Sequence, residues 1–408
     1  MNKQLIYLPL LLASLTSACS TNGISEPVAE AEVASKLAKK MHHTTPEGVI
    51  SVDIVSDNKR LHLLTVKHQH GNNTFWYQQS DDQGESWSAP VKILNADHLP
   101  AKITRGNDAQ ITAQGSTIVV TWTQYVDQGR FHAGPMLAAR SVDAGQTWQY
   151  AAAPPDWNGP HGYIDMAADQ QAMYAVWLDS RSVNPAIKAS QSVHYSRSID
   201  GGLSWEANLT LDAVSCSCCW NTVKADGEGN TYVLYRDKQP SDLSVGVVNA
   251  DQQWQYLNHV GAFNWQFDGC PHIGGNLDFQ KIADKKRLHA VVGTGHPEHL
   301  GVHYLYSDDV GKNWSNSVQL GAESAMHADI AAHDDGRVFA VWDQMSASGM
   351  SIFIADSADQ GMTWSAPRQV SKAGMRASHP RIIKTENGFL SLWTESDGQQ
   401  QTLTALRL

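Results

Sequence analysis

Apolar and polar positions alternate in short runs along this chain, as in HGYIDMAADQQAMYAVWLDSR from His161, HADIAAHDDGRVFAVWDQ from His327 and HPRIIKTENGFLSLWTES from His379. Each run predicts an inner strand, a turn rich in Asp, Gly or Asn, and a second strand ending near an aromatic residue: Trp122, Trp177, Tyr235, Trp342 or Trp393. Period-two alternation bounded by turn residues is the pattern of an all-β chain. Seven such units begin near Val49, Asp108, His161, Cys219, Cys270, His327 and His379. The seventh leaves room for about three strands, so a strand from upstream of Val49 is expected to close the ring.

A second pattern is laid over the first. SDDQGESW from Ser80, SVDAGQTW from Ser141, SIDGGLSW from Ser198, SDDVGKNW from Ser307 and SADQGMTW from Ser357 all obey Ser-x-Asp-x-Gly-x-x-Trp. A carboxylate can accept backbone amides in a tight turn, Gly takes positive φ without steric cost, and Trp fills space between sheets. Asp82, Asp143, Asp200, Asp309 and Asp359 are therefore expected to staple hairpins rather than to catalyse. The fourth unit keeps only a degraded staple around Asp251 and Trp254. A repeat of this length marks a propeller or solenoid. The motif resembles the Asp-box, or BNR repeat, of bacterial sialidases and related secreted propellers. The expected fold is all-β: a single β-propeller of four-stranded antiparallel blades over residues 46–408, seven blades with six as the alternative.

The first 45 residues differ in kind. Lys3, the apolar run Leu5 to Leu15 and Thr16-Ser17-Ala18 before Cys19 predict an export signal over residues 1–18, too short to span a bilayer. The stretch resembles the lipobox of bacterial lipoproteins, although that family prefers an apolar residue where Thr16 stands. The resemblance implies lipidation of Cys19 and a membrane-anchored protein of the bacterial envelope, at the outer membrane or facing the periplasm. Residues 19–45 read as a tether, with EPVAEAEVASKLAKKM suiting a short helix. Charged residues make up 17% of the 408 positions and the formal net charge is -11, which excludes a basic stripe for nucleic acid.

The chemistry concentrates where the inner strands begin. Asp108, His161, Cys219, Cys270, His327 and His379 recur at about the same place in six of the seven units, flanked by Cys216, Cys218, His272, Met326 and Met375. Loops expected on the same face carry His296, His299 and Met345. Thiolate, thioether and imidazole together favour copper or zinc over hard cations. A copper site is expected from Cys219, Cys270, His161, His327 and His379, with Cys216, Cys218 and His272 next to them, in a redox or metal-handling role. The same four cysteines also admit a disulfide from Cys270 to Cys216, Cys218 or Cys219 in a binding or scaffold protein. CSCC followed by DGCPH is similar to a signature in a subset of exported Asp-box proteins labelled sialidase-like. By architecture alone, nitrous oxide reductase is an analogue, a seven-bladed propeller with a histidine-bound copper cluster.

The sialidase resemblance implies an alternative, exo-sialidase-type glycoside hydrolysis of a glycan. It needs arginines that clamp a carboxylate and an acid/base Asp. Arg105 in ITRGND, Arg181, Arg236 and Arg376 are the candidates, with Asp108 as the acid. Across these readings the expected partner is a membrane through the lipid anchor, together with a small molecule, a glycan or a redox partner.

Overall fold

The computed structural model describes residues 45–57, 60–128, 132–182, 187, 190–347 and 349–408. The expected export signal, Cys19 and the expected tether up to residue 44 lie outside the described residues. Residues 45–408 form one compact unit. Among the described residues there is no α-helix, and the only named helical element is a 3-10 turn at Ile93–Asn95.

The strands assemble into five four-stranded antiparallel sheets and one seven-stranded sheet. The larger sheet runs Arg376–Lys384, Phe389–Ser396, Gln400–Arg407, Glu47–Asp57, Arg60–Gln69, Asn72–Ser80 and Val91–Lys92. Its two parts meet through only two parallel pairs, Glu47 with Gln400 and Gly48 with Gln401.

Seven strands line one cavity of about 430 Å³: Glu47–Asp57, Gln110–Gln114, His161–Ala168, Thr222–Ala225, Gly275–Ile282, Met326–Ala332 and Arg376–Lys384. Each packs on the next, and Arg376–Lys384 packs on Glu47–Asp57. This is the architecture of a β-propeller.

Each inner strand carries a polar residue, Asp53, Gln110, Asp165, Thr222, Asn276, Asp329 and Arg381, and all but Gln110 and Thr222 line the cavity. Several of them stitch a strand to its neighbour. Asp53 Oδ2 accepts the Ile111 N–H at 2.8 Å, Asp165 Oδ2 accepts Val223 N–H at 2.7 Å, and Asp329 Oδ2 accepts Ile382 N–H at 2.9 Å. Thr222 donates its hydroxyl to the Gly275 carbonyl at 3.0 Å. With its amide nitrogen turned inward, Gln110 lies 3.2 Å from both Asp53 Oδ2 and Asp165 Oδ1. Inner strands of neighbouring sheets share no ladder, so these side chains satisfy backbone donors and, at Gly275, an acceptor that would otherwise be buried without partners.

The five Ser-x-Asp-x-Gly-x-x-Trp turns have one geometry. In the second, Ser141 Oγ donates to Asp143 Oδ1 at 2.7 Å and accepts the Gly145 N–H at 2.9 Å, while Asp143 Oδ1 accepts the Thr147 N–H at 2.9 Å. Gly145 has φ 85° and lies so close to Tyr77 that a Cβ there would stand 2.0 Å from the ring, which only glycine tolerates. Trp148 then packs edge-on against Tyr77 at 5.6 Å, and Trp364 against Tyr304 at 4.7 Å. The staple thus closes a hairpin and presses it on the preceding sheet. Ser141→Ala strips the buried Gly145 N–H of its acceptor, and urea denaturation should show a loss of about 1–3 kcal/mol. In the fourth unit the capping is done by Asn249, whose Oδ1 accepts the Gln253 N–H at 2.9 Å, and not by the exposed Asp251. Trp254 does pack against its own sheet's Tyr235, at 6.4 Å.

Candidate functional site

The end of the cavity where the inner strands begin is shaped by β-bulges at one repeated place. Pairing slips between Gly162 and Asp165, between Met326 and Asp329, and between Ser378 and Arg381. Within the bulges Tyr163, His327 and His379 adopt left-handed backbone, with φ of 54°, 41° and 51°. His272, ahead of the fifth inner strand, has φ 53°. Each of these costs conformational energy, and such strain clusters where side chains must be re-aimed at a site.

The bulges correct the alignment read from the sequence. Tyr163, His327 and His379 each stand two residues before an axial residue, Asp165, Asp329 and Arg381. His161 stands two positions further out and turns away from the axis. Its Nδ1 accepts the Met136 N–H at 3.0 Å and its Nε2 lies 3.9 Å from Asp179, in a buried group with Trp177 and His194. Burial lowers the His161 pKa to about 4 against the pull of Asp179, so it is a neutral packing residue. It belongs to neither the thiol group nor the His327 group described below.

His327 and His379 stack face to face, centroids 3.9 Å apart. Asp343 Oδ2 accepts from His327 Nδ1 at 2.7 Å and from the His379 backbone N–H at 2.9 Å. The other His327 nitrogen, Nε2, lies 3.3 Å from the His272 carbonyl, so both ring nitrogens face acceptors. The pKa of His379 is held well below the usual imidazole value, by burial first, then by His327, Arg105, Arg381 and Arg376. Asp343, His327 and His379 offer three ligand atoms within 4.8 Å of one another. Four polar atoms at this mouth are buried without protein partners: Arg105 Nε, Asn221 Oδ1, Asp343 Oδ1 and His379 Nδ1.

Trp220 plugs the opening. Its ring sits 5.1 Å from His327 and 5.9 Å from His379, leaving about 30 Å³ among Gly106, Asp108, Asn221 and Arg381, room for one water. A Cβ on Gly274 would stand 2.0 Å from the indole nitrogen, so the absence of a side chain there lets the plug seat.

The residue before the plug, Cys219, belongs to the thiol group. Cys216 ends the strand Leu209–Cys216, and the turn after it folds Cys218 and Cys219 back onto it. Cys216 Sγ lies 3.1 Å from Cys219 Sγ and 3.8 Å from Cys218 Sγ, and the three sulfurs stand within 4.8 Å of one another, all buried beside Tyr163. S–H donation from Cys218 and Cys219 pulls the Cys216 thiol well down toward thiolate, helped by Arg236. The same contact with Cys216 pushes Cys218 up, and burial pushes up Cys219. The three thiols are coupled, and Cys216 is the one drawn toward the charged form.

Cys270 is exposed with its Sγ 3.4 Å from Ser217 Oγ, and all four cysteines are free. The disulfide read as an alternative is therefore not formed among the described residues. His272 is exposed and reaches the mouth through its carbonyl. The single ring of mixed sulfur and imidazole donors expected from the sequence is divided, because no group of three close donors among the described residues mixes Cys with His.

The expected arginines divide too. Arg236 is fully buried and donates to the carbonyls of Ile273 at 3.0 Å, Gly293 at 2.6 Å and Ser241. Arg181 is bound to Asp179, Asp156 and Asn208 over the Trp157 ring. Both are structural because every strong donor already has an acceptor. Arg105 does face the mouth, paired with Asp108 at 2.5 Å and donating to the His379 carbonyl at 2.5 Å. The arginines that act on His379 are Arg105, Arg376 and Arg381. Arg381, Asp343, Trp220 and the bulged role of Tyr163 escaped the sequence reading. The signal for Arg381 was its place two residues after His379, matching Asp329 after His327.

No protein-family model matches this chain, and no curated protein matches it. Among solved structures it is similar to a polysaccharide lyase, the PL25 ulvan lyase solved bound to -[GlcA(1-4)Rha3S]-, with TM-score 0.57, 10% identity and coverage of 89% of this chain and 94% of that one. It is also similar to the Trypanosoma rangeli sialidase, with TM-score 0.50, 11% identity and coverage of 89% of this chain and 55% of that one. At these identities the likeness shows a shared sialidase-like propeller fold.

Proposed function

We propose that this chain is an exported, seven-bladed, sialidase-like propeller, tethered through Cys19 to the bacterial envelope, whose mouth holds a soft transition metal in a metal-handling or redox role. The seven-stranded sheet is read as two blades, the second completed by Glu47 and Gly48 beside Gln400–Arg407. The observation that carries the function is the buried trio Cys216, Cys218 and Cys219, with sulfurs as close as 3.1 Å and one thiol drawn toward thiolate. Three soft donors in an apolar pocket suit copper, above all its monovalent form. Zinc, the alternative, requires a fourth ligand beyond the three sulfurs. Bound metal would fix the thiolate charge that burial otherwise opposes. Elemental analysis of the mature protein, with a count of free thiols, tests this: near-stoichiometric copper or zinc supports it, and a metal-free protein with four titratable thiols sinks it.

A second reading is glycan processing at the same mouth, in the manner of an exo-sialidase or a lyase. What favours it is the convergence of Arg105, Arg376 and Arg381 on His379, beside four buried polar atoms that lack protein partners. Guanidinium groups recognise the carboxylate of an acidic sugar. Arg376 is the exposed member, so Arg376→Ala should weaken binding of a sialoside or uronide roughly tenfold to a hundredfold in a calorimetric titration. The metal content should not change. Equal binding by variant and parent would remove this reading.

A further inference from the structure

We infer that the loop between the strands Lys285–Thr294 and Gly301–Ser307 carries a second metal site of different chemistry, for a divalent first-row ion such as Zn2+, Co2+ or Cu2+, held by His296, Glu298 and His299. The inference does not rest on the thiol site and involves none of its residues.

Each of the three side chains offers one ligand atom, and these atoms lie within 4.8 Å of one another. Two donors bound to one tetrahedral zinc at about 2.1 Å sit about 3.4 Å apart, so modest side-chain rotation completes the geometry. The backbone already brings the imidazoles together. His299 N–H donates to the His296 carbonyl at 2.8 Å, and His296 N–H donates to Thr294 Oγ1 at 3.0 Å, which folds the loop into a tight turn around Pro297. The rings of His296 and His299 end 5.3 Å apart, tilted by 36°.

The tautomer of His296 is also set. Its Nδ1 accepts the Glu298 N–H at 3.2 Å, so that nitrogen carries a lone pair and can exchange one long hydrogen bond for an ion without losing a proton. Behind the loop, His303 Nε2 is 2.9 Å from the His299 carbonyl, and Phe263 packs on both rings at 5.3 Å and 5.0 Å. This backing holds His299 in place, as outer-shell partners do in metal sites. His303 is itself buried, with its Nδ1 lacking any protein partner. Glu298 is exposed and both histidines are half-buried, so an ion can reach the donors from solvent.

Two imidazoles and a carboxylate suit zinc, cobalt or copper(II), whereas calcium and magnesium prefer an all-oxygen shell. Three protein donors leave an open position for water or a small anion.

Co2+ is the probe that tests the site, titrated into the mature reduced protein under argon. The expected result is one equivalent, beyond any that the thiols take up, with visible d–d bands that lack the near-ultraviolet sulfur charge-transfer absorption of a thiolate complex. His296→Ala and, separately, Glu298→Gln should weaken this binding by at least about tenfold, since losing even an outer-shell partner costs that much. Cys219→Ser should leave it unchanged, which separates failure here from failure of the thiol reading. Unaltered thermal unfolding would show that the loop variants are folded. Binding by both loop variants as tight as the parent's, or cobalt bands that always carry sulfur charge transfer, would overturn the inference.

Discussion

Cys219→Ser is expected to purify with almost no bound copper, while the parent carries close to one equivalent per thiol trio. Cys219 is 1% exposed and its sulfur is 3.1 Å from Cys216 Sγ, the closest contact in the group. A serine hydroxyl is a harder donor and stays protonated, so substitution removes a ligand without removing volume. Burying that hydroxyl without a partner costs about 1–3 kcal/mol, small against the 5–15 kcal/mol of an ordinary domain. The variant should therefore remain folded, and loss of metal would report on ligation rather than on collapse. Cys270→Ser should have a smaller effect because that thiol is exposed and touches the group only through Ser217. His161→Ala should leave the metal content as it is, because its imidazole is committed to Met136 and faces Asp179. Mass spectrometry under native conditions with elemental analysis reads all three variants, and undiminished copper in Cys219→Ser would end the thiolate assignment.

The contrast between Cys219 and His161 shows where the sequence was informative. Five copies of a turn motif and the recurring buried aromatics Trp122, Trp177, Trp342 and Trp393 report local geometry repeated from sheet to sheet, so the all-β repeat followed from spacing and the propeller from the motif's resemblance to the Asp-box. The placement of donors around the mouth depends instead on β-bulges. A bulge adds one residue to one strand and turns the side chain through a left-handed backbone, and no composition signal marks it at Tyr163, His327 or His379. A shift of two positions was enough to send His161 into an Asp179 pocket and to bring Tyr163 to the thiols. The arginines failed for a related reason. Arg236 ends a second strand and meets three carbonyls, whereas Arg381 lies in an inner strand and meets a ring of carboxylates, which only the closure of the chain decides.

Arg381→Met should cost about 3–5 kcal/mol of stability near neutral pH, the usual result of leaving buried carboxylates without their counter-charge. Burial works against the guanidinium charge, but Asp53, Asp329, Asp165 and Asp108 together outweigh it and push its pKa up. In return Arg381 restrains the carboxylates, which burial pushes up: Asp53 to about 7, with Asp165 and Asp329 also raised. The pH dependence has a definite sign. Asp53 has a folded pKa near 7 against 3.8 unfolded, so its protonated form stabilises the fold at low pH and that stability is lost as pH rises through 7. Without Arg381 the folded pKa climbs further, so the loss continues to higher pH. The difference between parent and variant should thus be smallest near pH 5 and grow above pH 7, by up to about 1.4 kcal/mol for each unit of added shift. Histidines that burial keeps neutral, His62 and His161 at about 4 and His289 at about 3, destabilise both proteins equally as pH falls below 6.5, and cancel in the difference. Urea denaturation of both proteins at pH 5, 7 and 8.5 measures it. A difference that does not vary with pH would mean that Arg381 stabilises the axis through packing alone.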